Sequence, residues 1–351
     1  MRAITVTPGK AGSARMEEVP EPSLSEGAVL VRALGLGICG TDRDIVSGQY
    51  GAAPAGETRL VLGHESFGTV DAAPPKCGLV PGDLVVGIVR RPDPVPCFAC
   101  AAGDWDMCRN GLYTERGIKG RNGYGSERFR VEPDFAIKID PELKHLGILL
   151  EPTSIVAKGW EHVERIGRRE GEWRPHTVLV TGAGPVGLLA AMMGAQRGLE
   201  VHVFDRNKGE LKPALVRELG GTYHGGGAIV DTLKHLAPDI IIECTGAPSL
   251  ICELPGGTAA AGIVCLAGVS NSGKCELDVG WVNRNVVLNN QVIFGTVNAN
   301  RRHYELAAQA LVRADPKWLG RLITRRVPLD HWSEALEAKP DDVKVIIEFP
   351  A

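Results

Sequence analysis

The chain has 351 residues, 44% of them hydrophobic and 23% charged, and a formal net charge of −3. That length suffices for two domains, and the charge leaves no basic excess for nucleic acid and no polybasic tract for a membrane surface. The opening MRAITVTPGK turns polar at once and reads as no signal peptide, and no apolar run reaches the ~20 residues of a membrane span. With nine cysteines and no leader, the thiols are expected to be reduced or metal-bound rather than paired in disulfides, and the chain to be cytoplasmic.

In chain order, residues 1–150 hold short β-like runs punctuated by Gly and Pro: RAITVT, AVLVRALGLG, GTVDAA, LVVGIV, RFRVEP and FAIKI. This predicts a β-rich first unit. After Glu151 the texture changes. SIVAKGWEHVERI has the apolar spacing of a helix, and HTVLVTGAGPVGLLAAMMGAQRGLEVHVFDR (176–206) reads as strand, glycine turn, helix and strand. PDIIIECTG and GIVCLAGV are bounded apolar runs of the kind that fill a parallel sheet covered on both faces. Residues 151–290 are therefore expected to form a doubly wound α/β domain, and 291–351, with VIFGTVN, a helix in RRHYELAAQALVRA and a last strand in DDVKVIIEF, to complete the first unit.

The turn Gly182-Ala183-Gly184-Pro185-Val186-Gly187 is G-x-G-x-x-G between a strand and a helix, the context the motif requires. Gly182 permits the tight turn, Gly184 the approach of a pyrophosphate, and Gly187 close packing of helix on strand. The anion then sits on the helix N-terminus. Asp205 closes the second strand, 18 residues after Gly187, where an acid accepts from the adenosine ribose and repels a 2′-phosphate. That favours NAD. Arg206, next in the chain, is suited to the 2′-phosphate of NADP, so some NADP use is expected.

Three stretches carry candidate metal ligands: GICGTDRD with Cys39, LGHESFG with His64 and Glu65, and LLEPTSI with Glu151. A catalytic zinc takes three protein ligands of N, S and O type and keeps one position open. Cys39, His64 and Glu151 supply one of each, and Glu65 stands behind them or binds when water leaves. Singly, Cys39 also reads as a small buried hydrophobe and His64 as a core histidine. RRPDPVPCFACAAGDWDMC adds Cys97, Cys100 and Cys108 in C-x2-C-x7-C spacing, three of the four ligands a structural zinc needs.

The motifs GxCGTD, GHExxGxV, PGDLV, the cysteine lobe and GAGPVG follow the order seen in zinc-dependent medium-chain dehydrogenases. CGTDRDIVSGQYG, LLEPTSIVAKGWE and GTVNANRRHYELA resemble the microbial glucose dehydrogenase branch of that superfamily, and the likeness runs over essentially the whole chain. It implies a GroES-like β-rich catalytic domain (1–150, completed by 291–351), a Rossmann cofactor domain (151–290), an active site at their interface, and a homodimer or homotetramer. It implies oxidation of the C1 hydroxyl of an aldose to a lactone, with Thr41 taking the proton, Asp44 relaying it, Glu65 assisting at the metal, and Glu115, Asn298, Thr41 and Glu151 binding the sugar. Relatives carry a fourth cysteine near the Arg pair. Here Asp93 stands near that place, and a Cys3Asp site of Asp93, Cys97, Cys100 and Cys108 is expected, with a metal-free lobe as the alternative. Apolar Val89 and Ile155 depart from polar residues of some relatives and leave a polyol or other secondary alcohol open as substrate. A non-catalytic NAD(P)-binding protein is disfavoured because the ligands at 39, 64, 65 and 151 are all present.

Overall fold

The computed structural model describes residues 1–206, 209–270 and 273–350. It divides the chain into two compact units, residues 1–154 with 298–351, and residues 155–297. No described helix is long and apolar enough to cross a membrane.

The first unit is built on a seven-stranded sheet whose centre is the ten-residue strand Val29–Ile38. Its sequence alternates until Leu36, and the branched residues Val29 and Val31 face the core. Glu65–Ala72 pairs with it antiparallel on one side and Lys344–Glu348 on the other. Gly37 lies opposite Glu65, and Ile38 opposite Val345. This register brings residues some 300 positions apart in the chain to one place. The core beneath contains Ile4, Val31, Leu36, Leu60, Leu62, Tyr124, Phe129 and Ile347, all almost fully buried.

The second unit is a six-stranded sheet in the spatial order Thr222–Gly225, Glu200–Asp205, Thr177–Thr181, Ile240–Glu243, Ile263–Leu266, Val292–Gly295. Every pairing is parallel. Numbered along the chain this is 3-2-1-4-5-6, the doubly wound order, with its switch point between the first and fourth strands. Leu179, Phe204, Ile241, Leu254 and Val264 form its core with Ile229 and Leu233.

Two expectations need correction. The boundary expected at 290/291 cut off the sixth strand: Val292–Gly295 pairs with Ile263–Leu266 and belongs to the second unit, which runs to Val297. VIFG reads as a strand in either unit, and only pairing assigns it. The expectation that every cysteine is a thiol or a ligand also fails at one pair, because Cys252 and Cys275 form a disulfide. Their spacing of 23 residues matches no ligand motif and gave no sign of pairing.

Candidate metal centre and cofactor turn

Among the described residues of the first unit, Cys39, His64 and Glu65 bring their ligand atoms within 4.8 Å of one another. Cys39 follows the long strand and caps the helix Gly40–Val46. Glu65 opens the neighbouring strand and His64 immediately precedes it, and both are buried. A half-buried sulfur converging with a buried nitrogen and a buried oxygen donor suits a zinc ion. The residues therefore fit the metal that the motif implies.

The sequence reading missed the residues that hold these three in place. Asp42 is fully buried. Its Oδ2 accepts from the Cys39 N–H at 2.8 Å, and its Oδ1 lies 3.3 Å from His64 Nδ1. The contact is an ion-pair approach within 4 Å rather than a formed hydrogen bond, and it sets the carboxylate charge beside the ring. Burial opposes a charge on His64, but Asp42 and the Cys39 sulfur outweigh it and raise its pKa well above 6.5. Metal binding must displace that proton. Lys344 donates from Nζ to both oxygens of Glu65, at 2.7 and 2.6 Å, and to the Ile38 carbonyl at 3.2 Å. Burial lowers its pKa and Glu65 with Cys39 more than restores it. The capping-box spacing Cys39-x-x-Asp42 was a legible sign of the first contact. Nothing in KVIIE marked its lysine as a partner for residue 65.

Glu151, in the first turn of the helix Leu150–Gly167, is buried. Burial and the negative charges of Glu65 and Asp42 push its pKa up to about 7, against the pull of His64 and Lys344. Its carboxyl thus stands within electrostatic reach of the group, while the three ligand atoms within 4.8 Å are those of Cys39, His64 and Glu65. Thr41 is half-buried, its Oγ1 3.9 Å from Cys39 Sγ. Asp44 sits three residues further along the same helix, half-buried.

A second polar cluster surrounds Glu115, which is 4% exposed. Its Oε1 accepts from Arg90 Nη2 at 2.9 Å, Arg90 Nε at 3.1 Å and Asn298 Nδ2 at 2.8 Å. The pairing of Arg90 with Glu115 across two short strands fixes this contact. Arg90 also stacks 3.7 Å over the Tyr113 ring. The Tyr50 hydroxyl feels this group too: burial and then Glu115 raise its pKa. Asn298 adopts a left-handed backbone, φ +59°, a strain Asn tolerates better than most residues. Gly117, two residues past Glu115, packs its backbone on that of Gly63, and a Cβ there would collide with it. This approach joins the segment after Glu115 to the residue before His64. Sequence reasoning named Glu115 and Asn298 but not Tyr50, Arg90 or Tyr113. Val89 is buried among apolar residues and Ile155 is half-buried.

In the cysteine lobe, Cys97, Cys100 and Cys108 form another group within 4.8 Å. Backbone N–H groups of Arg109 and Cys100 lower the Cys97 pKa to about 6, while burial and the neighbouring sulfurs raise that of Cys100 to about 11. Asp93 adjoins them through its backbone N–H, which faces Cys100. It is 3% exposed; its Oδ1 accepts from Val95 N–H at 2.9 Å, and its buried Oδ2 has no hydrogen-bond partner.

In the second unit the turn at 182–187 leaves the first sheet strand at the switch point. Gly182 has φ +92°, and a Cβ on Gly187 would strike the Gly182 carbonyl, so neither tolerates a side chain. Gly184 caps the helix Pro185–Ala195 and faces open space. Pro185 and Val186 form its first turn, with the proline where its missing N–H costs nothing. Asp205 ends the neighbouring strand and accepts from the Ala183 N–H at 2.5 Å, tying the two elements of the turn together. Arg206 follows it, exposed.

Comparison with known proteins matches this architecture. The profile of the glucose dehydrogenase C-terminus matches residues 144–349, and that of the alcohol dehydrogenase GroES-like domain residues 25–141. Glucose 1-dehydrogenase of Methanocella arvoryzae is 39% identical over 360 residues, covering 100% of both chains. That of Thermoproteus tenax is 41% identical over 99% of each. The solved structure of Haloferax mediterranei glucose dehydrogenase in complex with NADP, Zn and gluconolactone superposes with a TM-score of 0.93, at 32% identity and 100% coverage of both chains. The chain thus belongs to the glucose dehydrogenase family, within the zinc-dependent medium-chain dehydrogenases, with a GroES-like domain and a Rossmann domain.

Proposed function

We propose that this protein oxidises the C1 hydroxyl of glucose, or of a closely related aldose, to the lactone, passing hydride to NAD or NADP. The observation that carries the reading is the convergence of half-buried Cys39 with buried His64 and Glu65, in the same unit as the polar Glu115 cluster. Zinc, when bound, supplies Lewis-acid polarisation of a hydroxyl oxygen. Cys39 and His64 hold it, with Glu65 and Glu151 as carboxylate partners, and Asp42 fixes the His64 ring. Lys344 balances the charge of Glu65. Thr41 Oγ1 takes the hydroxyl proton and Asp44 passes it on. Glu115 and Asn298 bind the remaining sugar hydroxyls, with Arg90 holding the Glu115 carboxylate in place. A sugar lacking one of these hydroxyls leaves a buried polar group unpaired, which is how such a pocket discriminates.

Asp205 suits the ribose of NAD and exposed Arg206 the 2′-phosphate of NADP, so both cofactors are used. Asp93, with its unpartnered buried oxygen, completes a second zinc site with the three lobe cysteines. The enzyme acts in the cytoplasm, where NAD and NADP are at hand. It acts as a homodimer or homotetramer, associating through the second unit. The helix Val279–Leu288 there has no buried residue, and Trp281, Val287 and Leu288 are exposed beside the sheet-edge strand Val292–Gly295.

The test is reduction of NAD and NADP across aldoses and polyols, run beside Thr41→Val and with the mass of the particle measured by sedimentation. Glucose or a near relative is expected to be the preferred substrate. Thr41→Val is expected to lower kcat by about two orders of magnitude, the usual size of general acid–base assistance. A polyol as preferred substrate, near-normal turnover in Thr41→Val, or a monomer at micromolar concentration would each remove the corresponding part of the reading.

A further inference from the structure

The first unit contains a cavity of about 300 Å³ that belongs to neither the metal group nor the Glu115 cluster. Its floor is apolar. Phe67, Ile148 and Ile346 line it and are at most 4% exposed. Its walls begin two residues past the metal-site pair on each strand, with Phe67 after Glu65 and Ile346 after Lys344, and none of Cys39, His64, Glu65, Glu151 or Lys344 lines it. The volume lies at the lower end of the range for small-molecule sites.

The rim is charged. Lys144, His145, Arg326 and Glu348 surround the mouth. Arg326 Nη1 donates to Glu348 Oε1 at 2.8 Å, so these two charges offset one another. Burial, then Arg326, lower the His145 pKa and leave that ring neutral at neutral pH. One positive charge remains over the apolar floor. Lys144, which carries it, has a left-handed backbone with φ +43°. A lysine gains nothing there from local hydrogen bonding, and such strain collects at binding sites.

We infer that this cavity binds a small monocarboxylate with an apolar body, its chain on Phe67, Ile148 and Ile346 and its carboxylate between Lys144 and Arg326. An apolar pocket with a few polar groups at one end selects amphiphiles of that shape, and a net charge of one at the rim selects a monoanion over a neutral molecule. Arg326 provides the planar fork that a carboxylate meets with two hydrogen bonds.

Octanoate is the probe, titrated calorimetrically into the zinc-loaded enzyme with and without saturating glucose, with octanol as the uncharged control. One octanoate per chain is expected to bind, about tenfold tighter than octanol, as one or two charge-assisted hydrogen bonds provide. Lys144→Gly, which suits the left-handed backbone and leaves the fold intact, should remove most of that preference, as should Arg326→Gln. Leu34→Trp, which fills the cavity, should abolish binding of both probes. Glucose should leave the affinity unchanged. Octanol binding as tightly as octanoate, variants that retain wild-type affinity, competition by glucose, or no saturable binding up to millimolar octanoate would each overturn the inference.

Discussion

Lys344 is 1% exposed and touches Glu65 with both of its short hydrogen bonds. Removing one partner of a buried ion pair leaves the other uncompensated and costs about 3–5 kcal/mol, far more than a surface pair. Lys344→Met should therefore lower the unfolding free energy of the metal-free protein by about that amount, measured by urea titration, and Lys344→Arg by clearly less. Equal stability of Lys344→Met and the native protein would show that the pair is not formed. The same comparison explains what could be read from the residues alone. Cys39, His64, Glu65 and Glu151 were legible because their motifs are local in the chain, and so were Glu115 and Asn298 by resemblance. Lys344 and Arg90 were not, because each finds its carboxylate only through strand register.

At the scale of elements, the glycine turn and its flanking strands were readable because the chemistry sits within some thirty consecutive residues. The strand at 292–295 was readable as a strand but not as the sixth of its sheet, since pairing is not written in period-2 alternation. The elements of the first unit are joined by a cluster of arginines around Glu132. Its Oε2 accepts from Arg91 Nη2 at 2.7 Å, and Oε1 accepts from Arg121 Nη2 at 2.5 Å. Arg116, 1% exposed, lies 3.9 Å away. Burial raises the Glu132 pKa, but Arg91 and then Arg121 prevail and hold it below its ordinary 4.5. A carboxyl whose folded pKa is depressed binds protons more readily when unfolded. Its stabilisation is complete above pH 4.5 and disappears as the pH falls through the folded value. Glu132→Gln should therefore be destabilised by about 2 kcal/mol at pH 7, as for a hydrogen-bonded charge, and the gap to wild type should close below pH 4. A gap that is flat from pH 7 to pH 3 in thermal unfolding would show that the carboxylate charge is not what holds these strands together.

For the whole molecule, two units share the work. One offers a converging sulfur, nitrogen and oxygen donor set and a buried polar cluster, and the other a glycine turn at the switch point of a doubly wound sheet. The account rests on the first unit holding zinc through Cys39 and His64, with a second ion in the cysteine lobe. Metal content by plasma mass spectrometry, joined to glucose oxidation before and after chelation, tests this most directly. The account predicts two zinc ions per chain, one in His64→Ala and one in Asp93→Ala. It also predicts activity that vanishes in His64→Ala and in chelated wild type, returning to the latter with added zinc. Full turnover by zinc-free protein, or a zinc content that His64→Ala leaves unchanged, would contradict it.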